Sequence, residues 1–221
     1  MEKIPPSSFF NASTRTYSVI LGSLAGLAAM AHGVFELLQG NASDYDILAR
    51  IGAYSILPTY LSAGIATVIL SLTVLFWTVG RLHKKNGAMI YFWLILLLFL
   101  VGGGIAPIAG LLIAWAAATR IRSPLSWWSK VLAQKFRRWC VSGWKSILIT
   151  GFALLLIGIG IWLFFTPPGE IYQINWVDYV CWAFLGTGAL LQFATILAGF
   201  ARDLEKRGLC FRQMNVPGKN R

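Results

Sequence analysis

The chain is short of charge, and shorter still of acid. Charged residues make up 12% of its 221 positions, with only 8 Asp or Glu beside 19 Lys or Arg. An ordinary soluble domain carries about 25% charged residues. So few charges cannot cover a water-facing surface, which excludes a soluble globular domain. Histidine is scarcer still, at 2 residues. His32 and Glu36 are too few for a metal centre, which normally takes three or four ligands. The cysteines, Cys140, Cys181 and Cys210, show no metal or redox spacing and imply no disulfide framework. No metal and no cofactor is implied. A cleavable leader is also lacking, because no short apolar segment with a processing site precedes the first long run.

Apolar residues are abundant, at 57%, and they come in blocks. Five stretches, 17–38, 57–79, 88–119, 147–166 and 177–201, approach or exceed the roughly 20 residues that cross about 30 Å of hydrocarbon. The third is too long for one ordinary crossing. Basic residues fall between these blocks, in the loop 81–87, the stretch 120–145 and the tail. The positive-inside rule puts both the loop and the stretch in the cytoplasm, so the block between them must return to its starting side. Gly102, Gly103, Gly104 and Pro107 supply the turn chemistry. The arms 88–101 and 107–119 are short, roughly 20 Å each, so the hairpin either reaches the far interface or is re-entrant.

The expected fold is therefore an all-α, polytopic transmembrane helical bundle in a single membrane domain, 1–221. It has six membrane helices, at 17–38, 57–79, 88–101, 107–119, 147–166 and 177–201, with both termini inside. A short outer-surface helix is expected over 44–56, after a capping-box pattern at Ser43 and Asp46. An interfacial helix is expected over 124–140, opened by Ser123 and Pro124. Trp128, Leu132, Phe136 and Trp139 would share one face of it. Lys130, Arg137 and Arg138 would meet anionic lipid on the other. A partner-binding helix is the alternative. The net charge of +11 would suggest nucleic acid on a soluble protein. Here the basic residues flank spans, so the partner is anionic cytoplasmic lipid and not nucleic acid.

One polar pair interrupts the apolar spans. His32 and Glu36 are four apart at the end of the first span and share a helix face. An ionisable residue in a span is a functional hypothesis by default, and an anion near a helix C-terminus is disfavoured by the dipole. Glu36 therefore wants a partner: His32, Arg50 or a proton. The pair either locks the span to its neighbours or handles a proton, ion or substrate; a catalytic role is the third reading. Gln192, mid-span in the last helix, reads as a hydrogen-bonding glue or as part of a pathway lining. Gly102, Ala106, Gly110, Ala114 and Ala118, and likewise Gly22 and Gly26 with Ala25, Ala29 and Gly33 beside them, form small-residue faces for close packing. Asn11 and Asn41 each open a glycosylation acceptor pattern, which is common by chance.

The segment from His32 to Asn41, the turn from Val101 to Pro107, and Ala116 to Ile121 together resemble a group of uncharacterised prokaryotic polytopic integral membrane proteins. The resemblance covers mainly the first 130 or so residues at motif level. It implies a prokaryotic inner membrane and transfers no activity. The leading expectation for function is a structural, accessory or partner-binding membrane protein, as a homo-oligomer or with another membrane protein. One alternative is a transporter or channel for a small solute, ion or proton, using Glu36, His32 and the turn at 102–107. The other is an intramembrane enzyme acting on a lipid.

Overall fold

A computed structural model of the chain describes residues 10–40, 55–132, 134–165 and 176–214. The segment 44–56 and Arg50 fall almost wholly outside these, as does Asn41. Apart from one antiparallel bridge between Ser55 and Val101, the described residues form helices and their connections. Four helices are long and apolar enough to cross a membrane, and two apolar helices are shorter. This pattern points to an integral membrane protein. The chain divides into two compact units, Met1–Pro124 and Leu125–Arg221, where sequence reading treats 1–221 as one domain.

The first unit holds α1 (Ala12–Gln39), α2 (Tyr60–Gly80), α3 (Gly87–Leu100) and α4 (Ile105–Ala118). Glycines set the approach of α1 to α2. A Cβ on Gly22 would lie 2.9 Å from Thr78 Cγ2, on Gly26 2.9 Å from Leu75 Cδ2, and on Gly33 2.8 Å from Thr67 Cγ2. Partner numbers fall along α2 as they rise along α1, so the helices are antiparallel. On its other flank α1 meets α4, where a Cβ on Gly110 would sit 3.0 Å from that of Ala25. The expected small-residue faces are thus filled inside the unit. Ala106 is the exception and is exposed.

α2 is amphipathic in the inverse sense of a soluble helix. Tyr60, Thr67, Ser71 and Thr78 are fully buried, whereas Ile65, Ile69, Leu72 and Phe76 are 47–67% exposed. Such a helix is stable only where the surroundings are as apolar as its outer face, which is the condition inside a bilayer.

α3 and α4 form the expected hairpin, each 14 residues and so about 21 Å long. The doubling-back is closed at its far end, where Arg122 Nε donates to His83 O at 2.8 Å. The turn is tighter than 102–107. Ile105, Ala106 and Pro107 already belong to the first turn of α4, where proline is tolerated because its missing N–H needs no helical partner.

The second unit holds α5 (Ser126–Val131), α6 (Gln134–Phe165) and α7 (Trp176–Met214). The sequence over 124–140 does not form one helix. Leu125 adopts a left-handed conformation (φ 53°) ahead of α5, and Leu132 is extended at its end. Pro124 therefore lies outside a helix instead of opening one. Trp128 stacks on Phe200 of α7, ring centres 5.0 Å apart, while Trp127 stays exposed. Lys130 and Arg138 are exposed and Arg137 is half-buried. α6 starts well before the apolar run at 147, and α7 continues past 201 through charged residues. Hydropathy marks where a span ends, but Arg, Glu and Lys are good helix formers and carry the helix on.

α6 and α7 pack antiparallel through reciprocal glycine notches. A Cβ on Gly158 would lie 2.8 Å from Leu185 Cδ2, and one on Gly188 2.8 Å from Leu155 Cγ. Cys181 Sγ donates to Gly158 O at 3.3 Å in the same seam. Cys140 and Cys181 are both buried free thiols.

Candidate functional site

The polar pair of α1 and the glycine turn, separated by some 65 positions in sequence, meet in space. His32 and Glu36 stack on successive turns of α1, with His32 Nε2 3.4 Å from Glu36 Oε1. Glu36 has no exposed surface, while the His32 side chain keeps 19%.

The turn is shaped to receive them. α3 ends in the long bond of a Schellman motif, Gly103 N–H to Leu98 O at 2.9 Å. Gly102 stands at the position that calls for positive φ, here 115°. Gly104 (φ 72°, ψ 138°) then caps α4 in a conformation L side chains rarely adopt. The bare α-carbons face α1. A Cβ on Gly102 would come within 2.8 Å of Glu36 Oε1 and 3.1 Å of Oε2, and one on Gly104 would touch the His32 ring at 3.4 Å. Glycine is needed here twice over, for the backbone angle and for the space that the carboxyl fills.

The carbonyls at the end of α3 are satisfied from elsewhere. Ile56 N–H donates to Leu100 O at 2.9 Å. Thr67 Oγ1 and Ser55 Oγ both donate to Val101 O, at 3.1 and 3.3 Å. Non-helical backbone at membrane depth has to be satisfied in this way. Glu36 is not. Neither carboxyl oxygen has a hydrogen-bond partner among the described residues, and the His32 contact is too long and misdirected to count as one. A carboxyl kept only to lock packing would be expected to accept hydrogen bonds, as buried polar groups generally do.

Sequence reasoning missed what lies along the interior from this pair. On α2, Thr67, Ser71 and Thr78 follow one another on the buried face. Tyr91 of α3 brings its hydroxyl to Gly22, where an added Cβ would meet it at 2.6 Å. Ser18 of α1 is fully buried and lies on the line of Glu36, five turns below. The Ser71 hydroxyl has no partner among the described residues. These hydroxyls and Glu36 are strung over 18 residues of α1, or about 27 Å, which approaches the thickness of a hydrocarbon core. The four- and seven-residue spacing on α2 was the available signal, hidden because serine and threonine are common in apolar helices.

The remaining sequence candidates have other surroundings. Gln192 belongs to the second unit, buried against α6, where a Cβ on Gly151 would be 2.9 Å from its Nε2. Neither end of its amide has a partner among the described residues, so no glue bond across to α6 is made there. Asn11 is buried, and its Nδ2 donates to Arg120 O at 2.6 Å and Ser123 O at 3.0 Å, leaving no amide free for a glycan. Among the described residues no three His, Cys, Asp or Glu gather in a way that could hold a metal ion.

No family model, no curated protein and no solved structure matches this chain.

Proposed function

We propose that the first unit carries a proton or small cation across the membrane, with Glu36 as the exchanging group and His32 as its access from one side. The observation that supports this best is Glu36 itself, a fully buried carboxyl with no hydrogen-bond partner among the described residues, at the head of a file of buried hydroxyls. An intramembrane ionisable group is costly, and such groups typically mark proton or ion pathways. In this reading a proton enters through the partly exposed His32 ring, is held by Glu36, and leaves along Thr67, Ser71, Thr78 and Tyr91.

The test is flux in sealed proteoliposomes under an imposed pH or cation gradient. Wild type should collapse the gradient, Glu36→Gln should abolish the effect, and Ser71→Ala should slow it without lowering stability. Equal leak with and without protein across ions and gradients would overturn the proposal.

The structural or partner-binding role expected from sequence rested on the lack of catalytic or transport signatures and on small-residue faces. Gly22, Gly26, Gly33 and Gly110 are filled within the first unit, and Gly151, Gly158 and Gly188 within the second, so those faces are not offered to a partner. A stoichiometric partner recovered in mild detergent would restore that role. A lipid-directed enzyme needs a second cluster of polar groups beside Glu36, and among the described residues the carboxyl's closest shown contacts are His32 and Gly102.

For topology, we read the basic end of the first unit as cytoplasmic, with both termini inside, in a prokaryotic inner membrane. The Arg122–His83 bond, which joins the two basic segments flanking the hairpin, supports this. Lys84→Cys and Arg120→Cys should react with the same one-sided reagent, and reaction of only one would overturn it.

A further inference from the structure

The end of the first unit opposite Glu36 is where three chain segments are tied together. Asn11, heading α1, donates its backbone N–H to Ile121 O at 2.8 Å and its side-chain amide to Arg120 O and Ser123 O. Arg122, next to these, reaches back to His83 O. The start of α1, the loop after α2 and the chain leaving α4 are thereby held at one place. Each contributes cations: Arg15 from the first, Lys84 and Lys85 from the second, Arg120 and Arg122 from the third.

No acidic residue described in this unit lies beside them. Among the described residues of this unit the only carboxylate is Glu36, 21 positions up α1 from Arg15 and so about 32 Å away. The imidazole of His83 registers the excess. Its pKa is held below the usual histidine value by burial first, and then by the positive charges of Arg15, Lys84 and Arg122. The hydrogen bonds hold the three segments together, so their cations are brought near one another before any anion arrives. Among the described residues Arg122 engages only its Nε, on His83 O, which leaves the terminal nitrogens of its fork for an oxyanion. Arginine suits a tetrahedral phosphate through such paired donors.

We infer that Arg15, Lys84 and Arg122 form a binding site for a phosphate group, supplied by the headgroup of an anionic phospholipid. The lipid is the favoured source because the site lies at the ends of helices whose outer faces are apolar, which in the topology proposed above is where headgroups reside. It is distinct from Glu36 and does not depend on any transport by the first unit.

The full chain in phosphatidylcholine nanodiscs, with or without phosphatidylglycerol, tests it. Retained anionic lipid is counted by native mass spectrometry, and the His83 imidazole is titrated by NMR. Each cation removed should weaken retention about fivefold, so Arg15→Gln with Lys84→Gln should cost about 25-fold. Lys145→Gln with Lys206→Gln, an equal charge change at two exposed cations of the second unit, should cost several-fold less than that. Phosphatidylglycerol should raise the His83 pKa in wild type and not in the Arg15/Lys84 variant. If millimolar inorganic phosphate in pure phosphatidylcholine raises it while phosphatidylglycerol does not, the site stands with a soluble source. Equal loss of retention in both double variants, or a His83 titration unmoved by lipid and phosphate alike, would overturn the inference.

Discussion

Replacing Gly102 by alanine tests the fit between the turn and Glu36 most directly. Two costs arise. The φ of 115° is one that a residue with a Cβ rarely adopts, and strained backbone of this kind costs about 1–3 kcal/mol. The new methyl would also lie 2.8 Å from Glu36 Oε1 and 3.1 Å from Oε2; overpacking of this sort costs about 1–3 kcal/mol more. The sum, about 2–6 kcal/mol, is a large share of the ~5–15 kcal/mol that holds a typical domain together. The two costs separate in a double-mutant cycle. Glu36→Ala removes the carboxyl but leaves the backbone angle, so Gly102→Ala should cost about 1–3 kcal/mol less in that background. Denaturant unfolding in mixed micelles reads both numbers. Gly160→Ala, where an added Cβ has nothing within 4 Å, is the control and should be neutral or slightly stabilising. If Gly102→Ala costs the same with and without the carboxyl, or less than about 0.5 kcal/mol in either background, the packing described for this site is wrong.

Four further outcomes follow from the same contacts. Glu36→Leu removes a buried carboxyl lacking hydrogen bonds among the described residues and should leave stability unchanged or raise it by up to about 4 kcal/mol, while flux is lost; a large destabilisation would instead show Glu36 to be a structural lock. Asn11→Ala removes the side-chain bonds to Arg120 O and Ser123 O and should cost about 0.5–1.5 kcal/mol for each bond lost, measured by the same unfolding titration. Gln192→Leu replaces a buried amide without partners among the described residues and should raise the melting temperature; a drop would mean that the amide is bonded in the membrane. His83, with its folded pKa below the unfolded value of 6.5, binds more protons unfolded than folded. Its contribution is complete above about pH 6.5 and is lost as pH falls through the folded value, so acid should loosen the basic end of the first unit. His83→Asn should flatten that dependence in hydrogen exchange at residues 82–87.

Much was legible in the chain before any coordinates. Scarce charge and blocks of apolar residues specify membrane helices, because a segment that must satisfy its own backbone in hydrocarbon has few shapes open to it. Basic clusters on both sides of 88–119 with three glycines between them require that block to double back, and it does. The partial failures have local causes. Pro107 marks a turn in sequence but sits in the first turn of α4, where it loses nothing. Ser123 and Pro124 look like a helix start, yet Leu125 takes a left-handed conformation and delays it. Hydropathy ends the last span near 201, although the helix runs on to Met214.

Composition and spacing by themselves determined which segments are apolar helices, that 88–119 folds back, and that His32 and Glu36 share a face. Only the tertiary structure decided what that face meets. Glu36 lies against Gly102, Tyr60, Thr67, Ser71 and Thr78 of α2 point inward while Ile65 and Ile69 point outward, and three basic segments converge on His83. The physical reason is the difference between local and non-local interactions. Helix formation and turning are set within a few residues of chain, whereas the contact of a carboxyl with a glycine some 65 positions away depends on which helix faces which. Small residues on several faces of α1 leave that choice open until all the helices pack at once.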